Sequence, residues 1–147
     1  SISTPAASGC GHRPLAILVA EDNEINALLT RTLLTRLGHR PTVVENGAAA
    51  LASWRAARDA EAAFDLILMD VHMPDVDGLE AARQIREAEA GRGGPRTPIV
   101  ALTANAFAED RDACLSAGMD GFLVKPLERE RLVAALSELF GKTGIAA

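Results

Sequence analysis

Residues 64–70 read FDLILMD, an apolar run that stops at the carboxylate of Asp70. Three further apolar runs also end at a polar residue: residues 15–20 lead into Glu21 and Asp22, residues 99–102 into Thr103, and residues 122–124 into Lys125. In a parallel α/β sheet, ligands bind outside the carboxyl ends of the strands, near the point where the strand order reverses. If the four runs are neighbouring parallel strands, three carboxylates, a hydroxyl and an ammonium group meet in one crevice.

Composition narrows the classes of protein to consider. The chain has 147 residues, of which 48% are hydrophobic, so there is room for one domain with a single core. Its formal net charge of −5 argues against electrostatic binding to nucleic acid. Every apolar stretch is far shorter than the roughly 20 residues of a membrane span, so we expect no direct membrane contact. Cys10 and Cys114 have no metal-type spacing and suit a reducing cytoplasm.

Strand and helix signals alternate from residue 15 to residue 140. The predicted strands at residues 15–20, 64–69 and 99–102 are nearly continuous apolar segments, which is typical of parallel strands covered by helices on both faces. With right-handed crossovers, the alternation predicts a three-layer α/β/α fold with a five-stranded, doubly wound parallel sheet. The predicted strands are residues 15–20, 42–45, 64–69, 99–102 and 122–124, and the predicted helices are about 24–37, 47–62, 79–90, 106–117 and a fifth after Pro126. The second strand is short and less apolar, which suits a sheet edge.

Several helix boundaries have residue-level signals. Asp22 or Asn23 can cap the first helix and Gly38 fits its end, while Asp77 is a plausible cap for the third. Residues 91–95 are predicted to be a loop. Residues 55–63 are either an extension of the second helix or an irregular connection. Apolar residues at helical spacing mark one face of the first helix and the core side of the last: Ile25, Leu28, Leu29 and Leu33, then Leu132, Val133, Leu136, Leu139 and Phe140.

The ends of the chain differ from the rest. Residues 1–13 are rich in Ser, Gly, Pro and Ala and lack both periodicity and the apolar core of a secretory signal. We therefore expect a flexible linker at residues 1–13, one domain at residues 14–141 and a short tail at residues 142–147.

Four motifs, each at a predicted strand end, together resemble the receiver domain of two-component signalling. They are AEDN at residues 20–23, LMDVHMP at residues 68–74, ALTA at residues 101–104, and KP at residues 125–126. The resemblance covers nearly the whole chain and implies the flavodoxin-like strand order 2-1-3-4-5.

The resemblance assigns the strand-end residues to phosphoryl chemistry. Asp70 matches the phosphoacceptor, and a carboxylate can act as the nucleophile that forms an aspartyl phosphate. Asp22, Asp70 and the backbone carbonyl of His72 match the direct ligands of Mg²⁺, with Glu21 acting through water. Such a ligand set fits Mg²⁺, which prefers octahedral oxygen coordination and retains several waters. Lys125 matches the lysine that neutralises a phosphoryl oxygen.

The remaining assignments concern switching and the lifetime of the phosphoryl group. Thr103 matches the switch hydroxyl. Phe122 occupies the switch-aromatic position, although an ordinary half-exposed strand aromatic explains it equally well. His72 and Asn105 match the positions that flank the attacking water and tune how long the phosphoryl group survives.

The function implied is a phosphoryl-accepting signalling switch in the cytoplasm. The donor would be the phosphohistidine of a histidine kinase dimerisation domain or of a histidine phosphotransfer protein, and transfer and hydrolysis would be self-catalysed by the receiver. The residues in and around these motifs most resemble those of the receiver of a hybrid sensor histidine kinase. The parent chain of such a receiver is a kinase and can be membrane-anchored. A stand-alone receiver and a non-phosphorylated pseudo-receiver are the alternatives. The resemblance also implies readout, or a weak homodimer, through helix 4, strand 5 and helix 5.

Overall fold

The computed structural model describes residues 14–60, 62–71, 78–92, 97–103, 108–125 and 127–141. Within these ranges, the side chains of residues 92, 108–110, 140 and 141 are not described. Several positions named above lie outside the described residues: the N-terminal linker, the C-terminal tail, Cys10, His72, Asp77, Asn105 and Pro126.

Five parallel strands form one sheet. They are β1 (Ala16–Ala20), β2 (Arg40–Val44), β3 (Leu66–Asp70), β4 (Ile99–Thr103) and β5 (Gly121–Val124). Their order across the sheet is β2-β1-β3-β4-β5, and every neighbouring pair is parallel. The predicted fold and strand order are confirmed, and β2 lies at a sheet edge as its composition indicated. Every residue of β3 and β4 is buried, because helices cover both of their faces.

Helices form the two outer layers. They are α1 (Glu24–Arg36), α2 (Gly47–Asp59), α3 (Gly78–Arg92), α4 (Ala108–Ser116) and α5 (Arg129–Leu136), the last continued by a π-helical turn at Ser137–Gly141. Leu34 of α1 and Leu132 of α5 join one apolar cluster, on the face of the sheet that carries Leu68. Trp54 of α2 and Ile85 of α3 belong to a second cluster on the opposite face. The two layers follow from the alternation of side chains along each strand.

No helix in the described part of the chain combines the length and the apolar character that crossing a bilayer requires.

The apolar stripe on α1 is not the face that packs against the sheet. Ile25 and Leu28 are 77% and 63% exposed, Leu29 is also exposed, and Leu33 is only partly buried. The buried side chains are Ala27, Thr30 and Leu34. The small side chains of Ala27 and Thr30 let the start of α1 approach the sheet closely. With this face of the helix against the sheet, the large aliphatic residues face solvent.

Three further helix predictions need correction. α3 continues to Arg92, so the first two residues of the predicted loop at 91–95 are helical. α2 ends at Asp59 and residues 62–65 are not helical, which selects the irregular connection over an extended helix. Of the residues predicted on the core side of the last helix, Leu132 and Leu136 are buried, whereas Val133 is only partly buried. Leu139, which lies in the π-helical turn beyond the end of α5, is also only partly buried.

A polar network ties α3 to the connection between α4 and β5. The Arg86 guanidinium donates to the Gly118 carbonyl at 2.8 Å, to Asp120 Oδ2 at 2.8 Å and to Glu89 Oε1 at 2.6 Å. Asp120 Oδ2 also accepts from the backbone N–H of Ile99 at 2.9 Å, at the start of β4. Hydrogen bonds between charged partners are stronger than neutral ones, so this network fixes where β5 begins.

We predict that Gly118→Ala destabilises the fold more than Gly38→Ala. Both glycines have positive φ, +96° and +92°, so alanine at either site costs about 1–2 kcal/mol of backbone strain. A Cβ at Gly118 would also lie 2.7 Å from Arg86 Cγ, whereas a Cβ at Gly38 meets no atom within 4 Å. Urea unfolding of the two variants measures the difference, and equal losses would contradict the role given to Arg86.

Candidate functional site

Two neighbouring strands deliver the buried carboxylates to the same edge of the sheet. β1 pairs with β3 with Ala20 beside Met69, so Glu21 and Asp70 follow at adjacent positions. Both side chains are buried at the carboxyl ends of their strands. Glu21 is fixed further because its backbone N–H donates to the Val44 carbonyl at 3.0 Å. This edge is where open parallel sheets bind ligands.

The start of α1 orients the acidic pair. The side-chain oxygen of Asn23 accepts from the backbone N–H groups of Ile25 and Asn26 at 2.9 and 3.1 Å, so Asn23, not Asp22, is the cap. The Asn23 N–H donates to Glu21 Oε2 at 3.1 Å. Glu21 is therefore held inward, while Asp22 is exposed at the mouth of the site.

Lys125 bridges the two buried carboxylates. Its Nζ lies 3.1 Å from Asp70 Oδ2 and 3.3 Å from Glu21 Oε1. The Lys125 backbone N–H donates to the Thr103 carbonyl at 2.7 Å, which anchors this residue at the end of β5 beside β4. One ammonium group facing two carboxylates leaves the site with excess negative charge.

Burial and the neighbouring charges shift the pKa values of both Glu21 and Lys125. Burial, together with a hydrogen bond to Asp70 and its charge, raises the pKa of Glu21 to about 7, although the Asn23 N–H and the Lys125 charge oppose the rise. Burial lowers the pKa of Lys125, but its contacts with Asp70 and Glu21 outweigh this effect and the net shift is upward. Lys125 is therefore charged at neutral pH, and the carboxyl group of Glu21 takes up a proton readily.

The acidic groups fit a hard divalent cation. One carboxylate oxygen each from Glu21, Asp22 and Asp70 lie within 4.8 Å of one another. An all-oxygen set with an exposed member leaves room for waters, which Mg²⁺ retains in protein sites. The donor set therefore matches Mg²⁺ in chemistry and spacing.

Gly78, at the start of α3, packs directly on the strand that carries Asp70. A Cβ at this position would collide with the Asp70 backbone carbonyl, and the Gly78 N–H donates to the Val71 carbonyl at 3.2 Å. No feature of the sequence indicated that Gly78 lies so close to Asp70.

The structure brings together most of the residues that the sequence singled out. Glu21, Asp22, Asp70 and Lys125 converge at one edge, and Thr103 is buried at the adjoining end of β4. Phe122 lies further back on β5 and is only partly buried; the Arg111 guanidinium carbon stands 5.0 Å from its ring centroid. No feature of the sequence indicated the contact with Arg111. The roles of His72 and Asn105 stay predictions, because both residues lie outside the described part of the chain.

Fold and site together define a flavodoxin-like α/β domain with an acidic, lysine-neutralised pocket at the carboxyl edge of its sheet. The response regulator receiver domain model matches residues 17–137. The chain therefore belongs to the response regulator receiver family.

Similar proteins include receivers within histidine kinases. The chain is 39% identical over 130 residues to hybrid signal transduction histidine kinase I of Dictyostelium discoideum, covering 88% of this chain and 7% of that protein. The chain thus spans only a small part of this curated relative.

Two solved structures show the same fold. The receiver domain of sensor histidine kinase PA1611 from Pseudomonas aeruginosa, with a magnesium ion in its active-site cleft, is 42% identical at a TM-score of 0.75, covering 87% of this chain and 98% of that one. The receiver domain of Ssk1 from Saccharomyces cerevisiae, in complex with the histidine phosphotransfer protein Ypd1, gives a match at a TM-score of 0.78 and 30% identity, covering 86% of this chain and 88% of that one.

We predict that the metal-free protein loses stability as pH rises from about 4.5 to about 7. Folding raises the pKa of Glu21 from 4.5 to about 7, so the folded state binds the proton more tightly across this window. The contribution of Glu21 to the free energy of unfolding is complete below pH 4.5 and is lost as the pH rises through about 7. Urea unfolding at several pH values measures the slope.

Glu21→Gln removes the titrating group, so this component of the slope should disappear. Glu24→Gln is the matched control, because Glu24 is an exposed glutamate three residues further on, at the start of α1. Saturating Mg²⁺ should also offset the loss at high pH. A slope unchanged by Glu21→Gln would show that other groups cause it.

Proposed function

We propose that this chain is the phosphoacceptor of a two-component relay and that Asp70 receives a phosphoryl group from a partner's phosphohistidine. The observation that carries the proposal is the position of Lys125, within 3.1 Å of Asp70 and 3.3 Å of Glu21 at the edge where three carboxylates meet. Phosphoryl transfer depends mainly on positioning and on charge stabilisation, and this edge supplies both.

The proposed reaction exchanges one phosphorus bond for another. A carboxylate oxygen of Asp70 attacks the phosphorus and forms an acyl phosphate. The phosphorus–nitrogen bond of the donor breaks, its electron pair stays on the imidazole, and that nitrogen takes up a proton from solvent. In the later hydrolysis step, a water oxygen attacks the phosphorus, the bond to Asp70 breaks, and inorganic phosphate leaves. His72 and Asn105 are predicted to flank that water.

The charged residues of the site have separate roles in this proposal. Glu21, Asp22 and Asp70 would hold Mg²⁺, which supplies positive charge against the developing phosphoryl oxygens. Lys125, already at Asp70, moves from the carboxylate to a phosphoryl oxygen once the acyl phosphate forms. Because contact with the two carboxylates raises its pKa, this ammonium group stays protonated throughout.

The acyl phosphate acts as a switch if it forms contacts that only one conformation makes well. Thr103, buried at the end of β4, can donate its hydroxyl to the phosphoryl group, and Lys125 adds a second charge-assisted bond. Each such bond contributes roughly 1.5–3 kcal/mol. Moving a population from 1:99 to 99:1 requires about 5.5 kcal/mol, so two or three of these bonds together are of the right size.

The exposed stripe of α1 is the proposed docking surface for the phosphodonor. Ile25 and Leu28 are exposed beside the acidic site, and Leu28 and Asp22 both line a cavity of about 340 Å³ between α1 and β2. A helix of a histidine phosphotransfer protein, or of a kinase dimerisation domain, would cover these aliphatic side chains while it presents its phosphohistidine to Asp70. The helix-in-groove mode of recognition requires such an unpartnered apolar strip.

The proposed parent protein is a hybrid sensor histidine kinase in the cytoplasm, which can be membrane-anchored by other segments. The similarity to hybrid kinases supports this origin. A stand-alone receiver is the alternative. The groove between α4 and α5, about 580 Å³ in volume, is the proposed surface for readout or for a weak homodimer.

Asp70→Asn should abolish phosphorylation by acetyl phosphate in the presence of Mg²⁺, because the amide is not a nucleophile. Asp112→Asn, which removes an exposed carboxylate on α4, is the control and should react at the wild-type rate. Intact-protein mass spectrometry detects the added phosphoryl group. Equal modification of Asp70→Asn and the wild type would overturn the assignment of the nucleophile.

Leu28→Asp should slow transfer from a phosphorylated histidine phosphotransfer protein that is active on the wild type, by about ten-fold or more. Burial of a leucine side chain contributes about 1.5–3 kcal/mol, and a charge at this position opposes docking. Phosphorylation by acetyl phosphate should not change. Leu115→Asp is the matched control, since Leu115 is 59% exposed on α4. A similar slowing in both variants would contradict docking on α1.

A further inference from the structure

Arg111 of α4 stacks on Phe122 of β5. Its guanidinium carbon lies 5.0 Å from the ring centroid, within the range of a cation–π interaction. Both residues line the groove of about 580 Å³ between α4 and α5. Arg111 is exposed and Phe122 is partly buried, so one partner faces solvent while the other reaches the core.

This contact matters because the buried side chain within the described part of α4 is small. It is Cys114, and Ala117 and Met119 follow it in the connection to β5. Phe122 packs against the cluster that contains all three of these residues, and it is the large side chain of β5 on the face that α4 covers. The Phe122 ring is therefore part of the surface on which α4 packs.

The ring is also linked to the acidic site through paired strands. Phe122 pairs with Ala101 of β4, and two residues on, Val124 pairs with Thr103. Side chains two residues apart lie on one face of a strand, so Thr103 and Phe122 are diagonal neighbours on the face that α4 covers. A shift of the Thr103 side chain toward a phosphoryl group on Asp70 would leave space beside the ring.

We propose that Arg111 is a positioning residue that holds Phe122 in the orientation of the unmodified protein. It thereby opposes the displacement of α4 that modification of Asp70 favours. This inference rests on the proposed function, because it concerns how that site is read out. A cation–π pair at an exposed position changes such an equilibrium by about two- to five-fold.

Arg131 provides an internal comparison. It lines the same groove from α5, but its Nε donates to Glu128 at 3.1 Å. Replacing either arginine by methionine removes one positive charge from the groove and keeps an unbranched apolar chain. An effect that depends on the ring contact should therefore appear for Arg111→Met and not for Arg131→Met.

The experiment titrates beryllofluoride, a stable phosphoryl mimic, in saturating Mg²⁺, and follows protein labelled with 4-fluorophenylalanine by fluorine NMR. The chain has four phenylalanines, and Phe122→Leu assigns the resonance of interest. Arg111→Met should shift that resonance in the unmodified protein. It should also lower the half-saturating concentration of beryllofluoride about two- to five-fold. Arg111→Lys should give an intermediate result, because it keeps the charge.

The double variant Arg111→Met with Phe122→Leu separates the ring contact from a general effect of charge. If Arg111 acts through the ring, the methionine substitution has no further effect in the Phe122→Leu background. The same effect in both backgrounds, or a wild-type titration for Arg111→Met, would overturn the inference and leave the proposed function intact. Failure of the wild type to bind beryllofluoride would overturn both.

Discussion

The contact of Lys125 with Asp70 and Glu21 is the interaction on which the site depends. Removing charged groups from water is costly unless they are paired, and here two buried carboxylates share one ammonium group. The pairing is incomplete, so the site retains negative charge that a proton on Glu21 or a divalent cation can compensate. The fold thus keeps a negatively charged pocket that a bound cation stabilises. A bound cation beside Asp70 is also what metal-assisted chemistry requires.

The sheet explains why so much of this site could be predicted. β3 and β4 are buried along their whole length, so their sequences are apolar up to the last residue, and the polar residue that ends each strand marks the edge of the sheet. Parallel strands place all such edges on one side. The order of the strands then decides which polar residues become neighbours, and the resemblance to receivers supplied that order. Asp70 and Lys125 were predicted in this way, although they are 55 positions apart in sequence.

The features that the sequence did not reveal depend on how elements are rotated against each other. Two overlapping stripes on α1 have helical spacing, and only the close approach of Ala27 to the sheet decides that Leu28 faces solvent. The stack of Arg111 on Phe122 joins a helix to a strand, and neither residue has an unusual local context. The helix cap is a second feature that the sequence left open, because Asp22 and Asn23 were equally suitable caps for α1. In the structure Asn23 is the cap, and its backbone N–H holds Glu21 inward.

The helices α1 and α5 are held to the sheet more firmly than α4, and this difference bears on switching. On one face, α1 and α5 contribute Leu34, Leu132 and Leu136 to a cluster of large aliphatic side chains, which tolerates little displacement. On the other face, where Trp54 of α2 and Ile85 of α3 are fully buried, the described part of α4 contributes Cys114 and contacts β5 through the stack of Arg111 on the partly buried Phe122. Regions with few buried apolar contacts move at the lowest free-energy cost. A change at Asp70 that reaches Thr103 is therefore transmitted more readily to α4 than to α1, which leaves the proposed donor-docking face unchanged while the readout face moves.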